Sequence, residues 1–86
     1  MYKVRISKRA EKSLLKFSCK DQKRMTEALI GLQNDPFTGK KLEGDHKGLW
    51  SIRVWPYRII YIVEKKVVTV TVVAIGDRKD VYKKLK

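Results

Sequence analysis

Four side chains in this sequence suit the handling of a phosphate: Arg53, Arg58, Arg78 and Tyr82. A guanidinium group presents a planar fork of N–H donors that matches phosphate oxygens, and it keeps its charge when partly buried. Arg53 sits in a run where Trp50, Ile52 and Val54 alternate with Ser51, Arg53 and Trp55, so it lies opposite the apolar face. Arg58 opens the next run, close across the turn marked by Pro56. Arg78 follows Gly76, and Tyr82 comes four residues later, on the same side if that tail is helical. Three guanidinium groups and a phenol can thus meet in one shallow groove. Trp55 and Tyr57 offer rings on which exposed bases can stack, while Lys47, Lys79 and Lys83 add positive charge for an RNA backbone. The other reading of the same residues is a solvated strand face with cross-strand ion pairs.

Other chemistries find less support. His46 is the only histidine, which excludes a histidine pair, and its charged loop points to a solvated role. There is no CxxC pair, HExxH or DxDxDG, so neither a metal nor a cofactor is expected. Gly44 and Gly48 lack the spacing and the preceding strand of a phosphate-cradling loop. The glutamates Glu11, Glu27, Glu43 and Glu64 are scattered, and nothing singles out Glu43 as a base. Cys19 cannot form an internal disulfide; beside Lys20, it reads as a cysteine at a helix end or turn.

The elements that must position these groups follow from periodicity. Tyr2–Ile6 alternates and reads as a short strand. Ser7 is a good N-cap for a helix in which Ala10, Leu14 and Phe17 recur, with Lys8, Arg9, Lys12 and Lys16 largely opposite. The pattern breaks at Ser18–Lys20, Asp21 offers a second cap, and Met25, Ala28, Leu29 and Leu32 stripe a second helix to about Asn34. Asp35-Pro36 stops it, because proline disfavours helical geometry in the residue before it. Phe37–Gly48 reads as a connecting loop anchored by Leu42. Strands follow at Leu49–Trp55, Tyr57–Val63 and Val67–Ile75, the last almost continuously β-branched and therefore central, with Gly76 ending it. The tail Asp77–Lys86 suits a short helix with Val81 and Leu85 docking. The order β-α-α-β-β-β predicts an α+β fold: a small, antiparallel-rich sheet with an N-terminal helical hairpin on one face.

With 86 residues there is room for one domain, residues 1–86, and one small core. Lys plus Arg number 21 against 9 acidic residues, a net charge of +12. Self-repulsion at that density opposes the compact state, so the excess points to a polyanionic partner, RNA before membrane. No apolar run is long enough to span a bilayer, and the lone cysteine suits a reducing compartment, so a cytoplasmic location is expected.

The segment LEGDHKGLWSIRVWPYRIIYIV followed by VVAIGDRKDVY resembles the RelE/ParE toxin superfamily, specifically its RelE-like messenger-RNA interferases. The matching positions are Leu42, Gly44, Trp50, Arg53, Val54, Tyr57, Arg58, Ile59, Ile60, Tyr61, Gly76, Arg78, Val81 and Tyr82. The resemblance implies a toxin that cuts mRNA on the ribosome without a metal and is restrained by a cognate antitoxin. It assigns Arg58 to gripping the scissile phosphate and Arg78 to the leaving group. Tyr82 would stack on or orient the nucleotide, and Arg53 would help activate the nucleophile or neutralise charge. Ser51 stands where well-known members carry lysine, and Asp77 where many carry histidine, which leaves the general base unassigned and fits a weakened activity. Two alternatives stay open: a ParE-like inhibitor of DNA gyrase that cleaves nothing, and a non-catalytic RNA- or ribosome-binding protein on the same fold.

Overall fold

The alternating start, the serine and the two helical stripes become β1 (Lys3–Ile6), α1 (Lys8–Leu15) and α2 (Cys19–Asn34) in the computed structural model. It describes residues 1–77 and 80–83, so Arg78, Lys79 and Leu85 lie outside the described residues, as do the side chains of Asp45, Asp80 and Lys83. Ser7 caps α1: its Oγ accepts the Ala10 N–H at 3.1 Å and donates to the Val73 carbonyl at 3.0 Å, tying the helix start to the sheet. The second cap is Ser18, whose Oγ accepts the Asp21 N–H at 3.2 Å. Asp21, expected at the cap, lies in the first helical turn instead, where its charge meets the positive end of the helix dipole.

Four further strands complete one sheet: β2 (Lys40–Lys41), β3 (Trp50–Val54), β4 (Tyr57–Glu64) and β5 (Thr69–Asp77), in the order β1-β5-β4-β3-β2. β1 runs parallel to β5 and the other pairings are antiparallel. A short α3 (Asp80–Lys83) follows. The fold is α+β as the residue pattern predicts, with two differences in the strands. β2 lies inside the expected loop; two residues are too few for alternation to mark. β5 begins at Thr69 rather than Val67, because Lys65–Val67 forms a 3₁₀ turn and Val68 takes φ 48°, a left-handed conformation uncommon for a β-branched residue. At its other end β5 continues through Gly76 to Asp77.

The sheet has a core on each face. On the helix side, Ala10, Met25, Leu29 and Leu32 pack against Ile59, Tyr61, Val70, Val72 and Ile75. Tyr61 is fully buried, and its hydroxyl donates to the Pro36 carbonyl at 2.9 Å, which satisfies both groups. Burial pushes its phenol above the ordinary tyrosine value. On the other face, Ile60 and Ala74 are covered by Val81 of α3, with Leu42, Leu49 and Tyr82 packed around them. This second, smaller core fixes α3 and the loop before β3 beside a strip of sheet that stays uncovered. Among the described residues, no helix is long and apolar enough to cross a membrane.

Candidate functional site

The uncovered strip is set by strand register. Arg53 pairs with Arg58 across β3 and β4, and Arg58 pairs with Gly76 across β4 and β5, so one row on the face away from the helices reads Arg53, Arg58, Gly76, running from exposed through half-buried to buried. Directly opposed strand residues share a face, with Cβ atoms about 5 Å apart, and like charges so placed oppose pairing. The pair of arginines is therefore a small cost to the hairpin that an anion between them removes. Gly76 adds no side chain to the row and is itself buried. The next row reads Ser51, Ile60, Ala74.

Ser51 links the two rows. It is 2% exposed, and its Oγ accepts a hydrogen bond from Arg58 Nη1 at 3.1 Å. Arginine carries five N–H donors, so one held by Ser51 fixes the fork while the rest remain for a ligand. Gly39, before β2, lets the chain pass tightly over this point: a Cβ there would meet the Tyr61 hydroxyl and lie 2.7 Å from the Ser51 carbonyl oxygen. Arg53 is exposed and, among the described residues, makes no hydrogen bond or ion pair. The cross-strand ion-pair reading fails for these two residues, because each faces the other rather than an acid.

Tyr82, half-buried on the second core, forms the border of this strip, and the His46 ring lies against it with centroids 5.5 Å apart and planes at 37°. His46 belongs to a one-turn 3₁₀ helix, Gly44–His46, bracketed by Gly44 at φ 67° and Gly48 at φ 94°. Those positive φ values need glycine, and they fold the loop back towards α3.

Comparison with known proteins decides what kind of chain this is. The profile of the ParE toxin of type II toxin-antitoxin systems, parDE, matches residues 4–82. The chain belongs to this RelE/ParE toxin family. No curated protein sequence matches it. Among solved structures, the toxin resembles a chain of the RelBE2 toxin-antitoxin complex from Mycobacterium tuberculosis, with TM-score 0.84, 26% identity and coverage of 90% of this chain and 98% of that one. It also resembles a chain of the archaeal RelE-RelB complex from Pyrococcus horikoshii, at TM-score 0.79 and 28% identity over 91% of this chain and 96% of that one. The isolated E. coli RelE toxin, at 24% identity, TM-score 0.77 and coverage of 99% and 95%, has the same fold.

Within this toxin, the remaining expected site residues distribute unevenly. Tyr57 is not on the open face: its ring stacks on Phe17 at 4.4 Å and its hydroxyl donates to Asp21 Oδ2 at 3.2 Å. That hydrogen bond, followed by burial, raises its phenol above the ordinary value. Tyr57 therefore leaves the candidate interface, a placement that follows from its alternation with Ile59 and Tyr61, which point to the helices. Trp55 stands 58% exposed at the tip of the β3–β4 turn, its carbonyl accepting from Arg24 Nη2 at 2.6 Å. Lys47 is exposed and lines a shallow cleft with Lys41, Leu42, Glu43 and Gly44. Two residues at the site carry no sequence signal for it. Ser51 reads as a lost lysine until its register brings it under Arg58. His46 reads as solvated because nothing in a glycine-flanked loop shows where the loop will fold. Among the described residues, no three metal-ligating side chains gather.

Proposed function

We propose that this toxin is an endoribonuclease that cuts mRNA held on the ribosome and so stops translation. The observation that carries the reading is the cross-strand pair of Arg53, exposed, and Arg58, half-buried and hydrogen-bonded to Ser51. RNA brings its own nucleophile, the 2′-hydroxyl, so the protein's task is to hold the phosphate in line and neutralise the charge that builds on it. Arg58 grips the scissile phosphate with the donors Ser51 leaves free, and Arg53 neutralises charge from directly across the hairpin. Tyr82 offers a ring on which the nucleotide stacks. Arg78 is assigned to the leaving oxygen on the family resemblance alone. Trp55, Lys47, Lys79 and Lys83 serve as contacts to the surrounding RNA. Ribosomal RNA and mRNA are the partners that suit the charge. An antitoxin is the protein partner, as in the RelBE2 and RelE-RelB complexes to which the chain is similar.

The test is cleavage of mRNA on programmed ribosomes by wild type and Arg58→Ala. Removal of a charge-stabilising donor costs about 10²–10³-fold in rate, so the variant should lose cleavage while keeping its melting temperature. The family profile bears the name ParE, and a gyrase inhibitor is the second reading. Under that reading, wild type would leave mRNA whole and block DNA supercoiling, and Arg58→Ala would do the same.

A further inference from the structure

The proposed chemistry lacks a proton acceptor. Arginine stays protonated above pH ~12 and tyrosine titrates near ~10, so neither serves as a base at neutral pH. Histidine is the side chain whose ordinary titration spans the neutral range. We propose that His46 is the base that takes the proton from the attacking 2′-hydroxyl, its ring held for that purpose against Tyr82. The inference deepens the ribonuclease reading and rests on it.

Three observations place His46 at the reaction rather than in solvent. Its ring is half-buried beside Tyr82, the group offered to the substrate base. The backbone around it is pinned: its N–H donates to the Glu43 carbonyl at 3.4 Å, and its carbonyl accepts the Leu49 N–H at 3.1 Å. Leu42 and Leu49, on either side of the turn, are both seated in the second core with Tyr82. Finally, that core is continuous with the phosphate grip, since Ile60 at its centre pairs with Ser51, the residue holding Arg58. Under this proposal, a nucleotide stacked on Tyr82 with its phosphate on Arg58 presents its ribose to His46. Glu43, the carboxylate that precedes the turn, is exposed and lines the cleft with Lys41 and Lys47 instead. Besides Arg58 of β4, the titratable and charged groups on the elements meeting here are Glu43, Asp45 and Lys47 in the turn, Lys40 and Lys41 in β2, and Asp80, Tyr82 and Lys83 in α3.

The step balances without a cofactor. The O2′–phosphorus bond forms as the phosphorus–O5′ bond breaks, the O2′ proton passes to the neutral imidazole, and the departing O5′ takes a proton from water. The products are a 2′,3′-cyclic phosphate and a 5′-hydroxyl end. Because the imidazole must be neutral, the rate rises with pH and then levels.

The experiment compares pH–rate profiles for ribosome-bound mRNA cleavage by wild type, His46→Ala and His46→Gln, with and without added free imidazole. A general base contributes about 10²–10⁴-fold, so both variants should fall by that factor and lose the rising limb. His46→Ala should recover part of the rate with imidazole, which only a folded protein with an intact site can show. If wild type cleaves and both variants keep its rate and its rising limb, His46 is not the base, and the ribonuclease reading survives. If both variants are slow yet keep the limb, and imidazole restores nothing, His46 is a packing residue and the proposal fails. If wild type does not cleave at all, the ribonuclease reading falls first and takes this inference with it.

Discussion

Arg58 shows how much of a site one side chain can organise. Its strand places it between Arg53 and Gly76, and Ser51 takes one of its N–H groups at 3.1 Å. A guanidinium free to swing would spend entropy on each binding event, whereas one already held loses less per hydrogen bond formed. Ser51→Ala should therefore lower the cleavage rate about tenfold, equivalent to ~1.4 kcal/mol of transition-state stabilisation, with a melting temperature close to wild type. A variant as fast as wild type would mean that the Ser51 contact positions nothing. The shared face of Arg53 and Arg58 was readable from the chain because a strand's period of two assigns each residue a face. The same period puts Tyr57 with Ile59 and Tyr61 on the helix side, where Phe17 and Asp21 hold it. Aromatic character suggested base stacking, and alternation was the stronger signal. The contacts of Ser51 with Arg58 and of His46 with Tyr82 were not readable, because register and loop folding make them.

At the scale of elements, the β3–β4 hairpin that carries both arginines is clamped to α2. Arg24 donates to the Trp55 carbonyl at 2.6 Å, Tyr57 donates to Asp21, and Arg24 and Asp21 pair at 3.4 Å. Packing against Phe17 completes the clamp. The Tyr57 phenol is raised in the folded state, first by its bond to Asp21. A raised value means that folding favours the protonated phenol. Its contribution is fully present below the unfolded tyrosine value of ~10 and is lost as pH rises through the higher folded value. Tyr57→Phe should be less stable than wild type at neutral pH, and the gap should narrow in strongly alkaline solution; urea melts across that range measure it. A gap independent of pH would remove the Asp21 bond from the account. Both helices and β3 to β5 were legible because each is long enough for its period to repeat. The cap at Ser18 and the strand Lys40–Lys41 were not, since a serine three residues before an aspartate offers two caps and two residues have no period.

Across the whole molecule the net charge of +12 divides by location. Lys8, Arg9, Lys12 and Lys16 line a shallow groove on α1, on the helix side, while Arg53 and Arg58 stand on the opposite face of the sheet. The first set suits general attraction to a polyanion and the second suits one phosphate. Binding to ribosomes should weaken steeply with salt, by about 10³-fold or more between 50 and 200 mM if six or more phosphates are contacted. Charge reversal on α1, as in Lys12→Glu with Lys16→Glu, should flatten that dependence while leaving the rate of bound complexes intact. An affinity unchanged over that range would deny the helices a role in RNA binding. If Arg53 and Arg58 serve to cut RNA, mapping mRNA 5′ ends on programmed ribosomes should reveal new ends at defined positions within the ribosome-bound codon with wild type and none with Arg58→Ala. Intact mRNA with wild type, together with blocked DNA supercoiling, would contradict it.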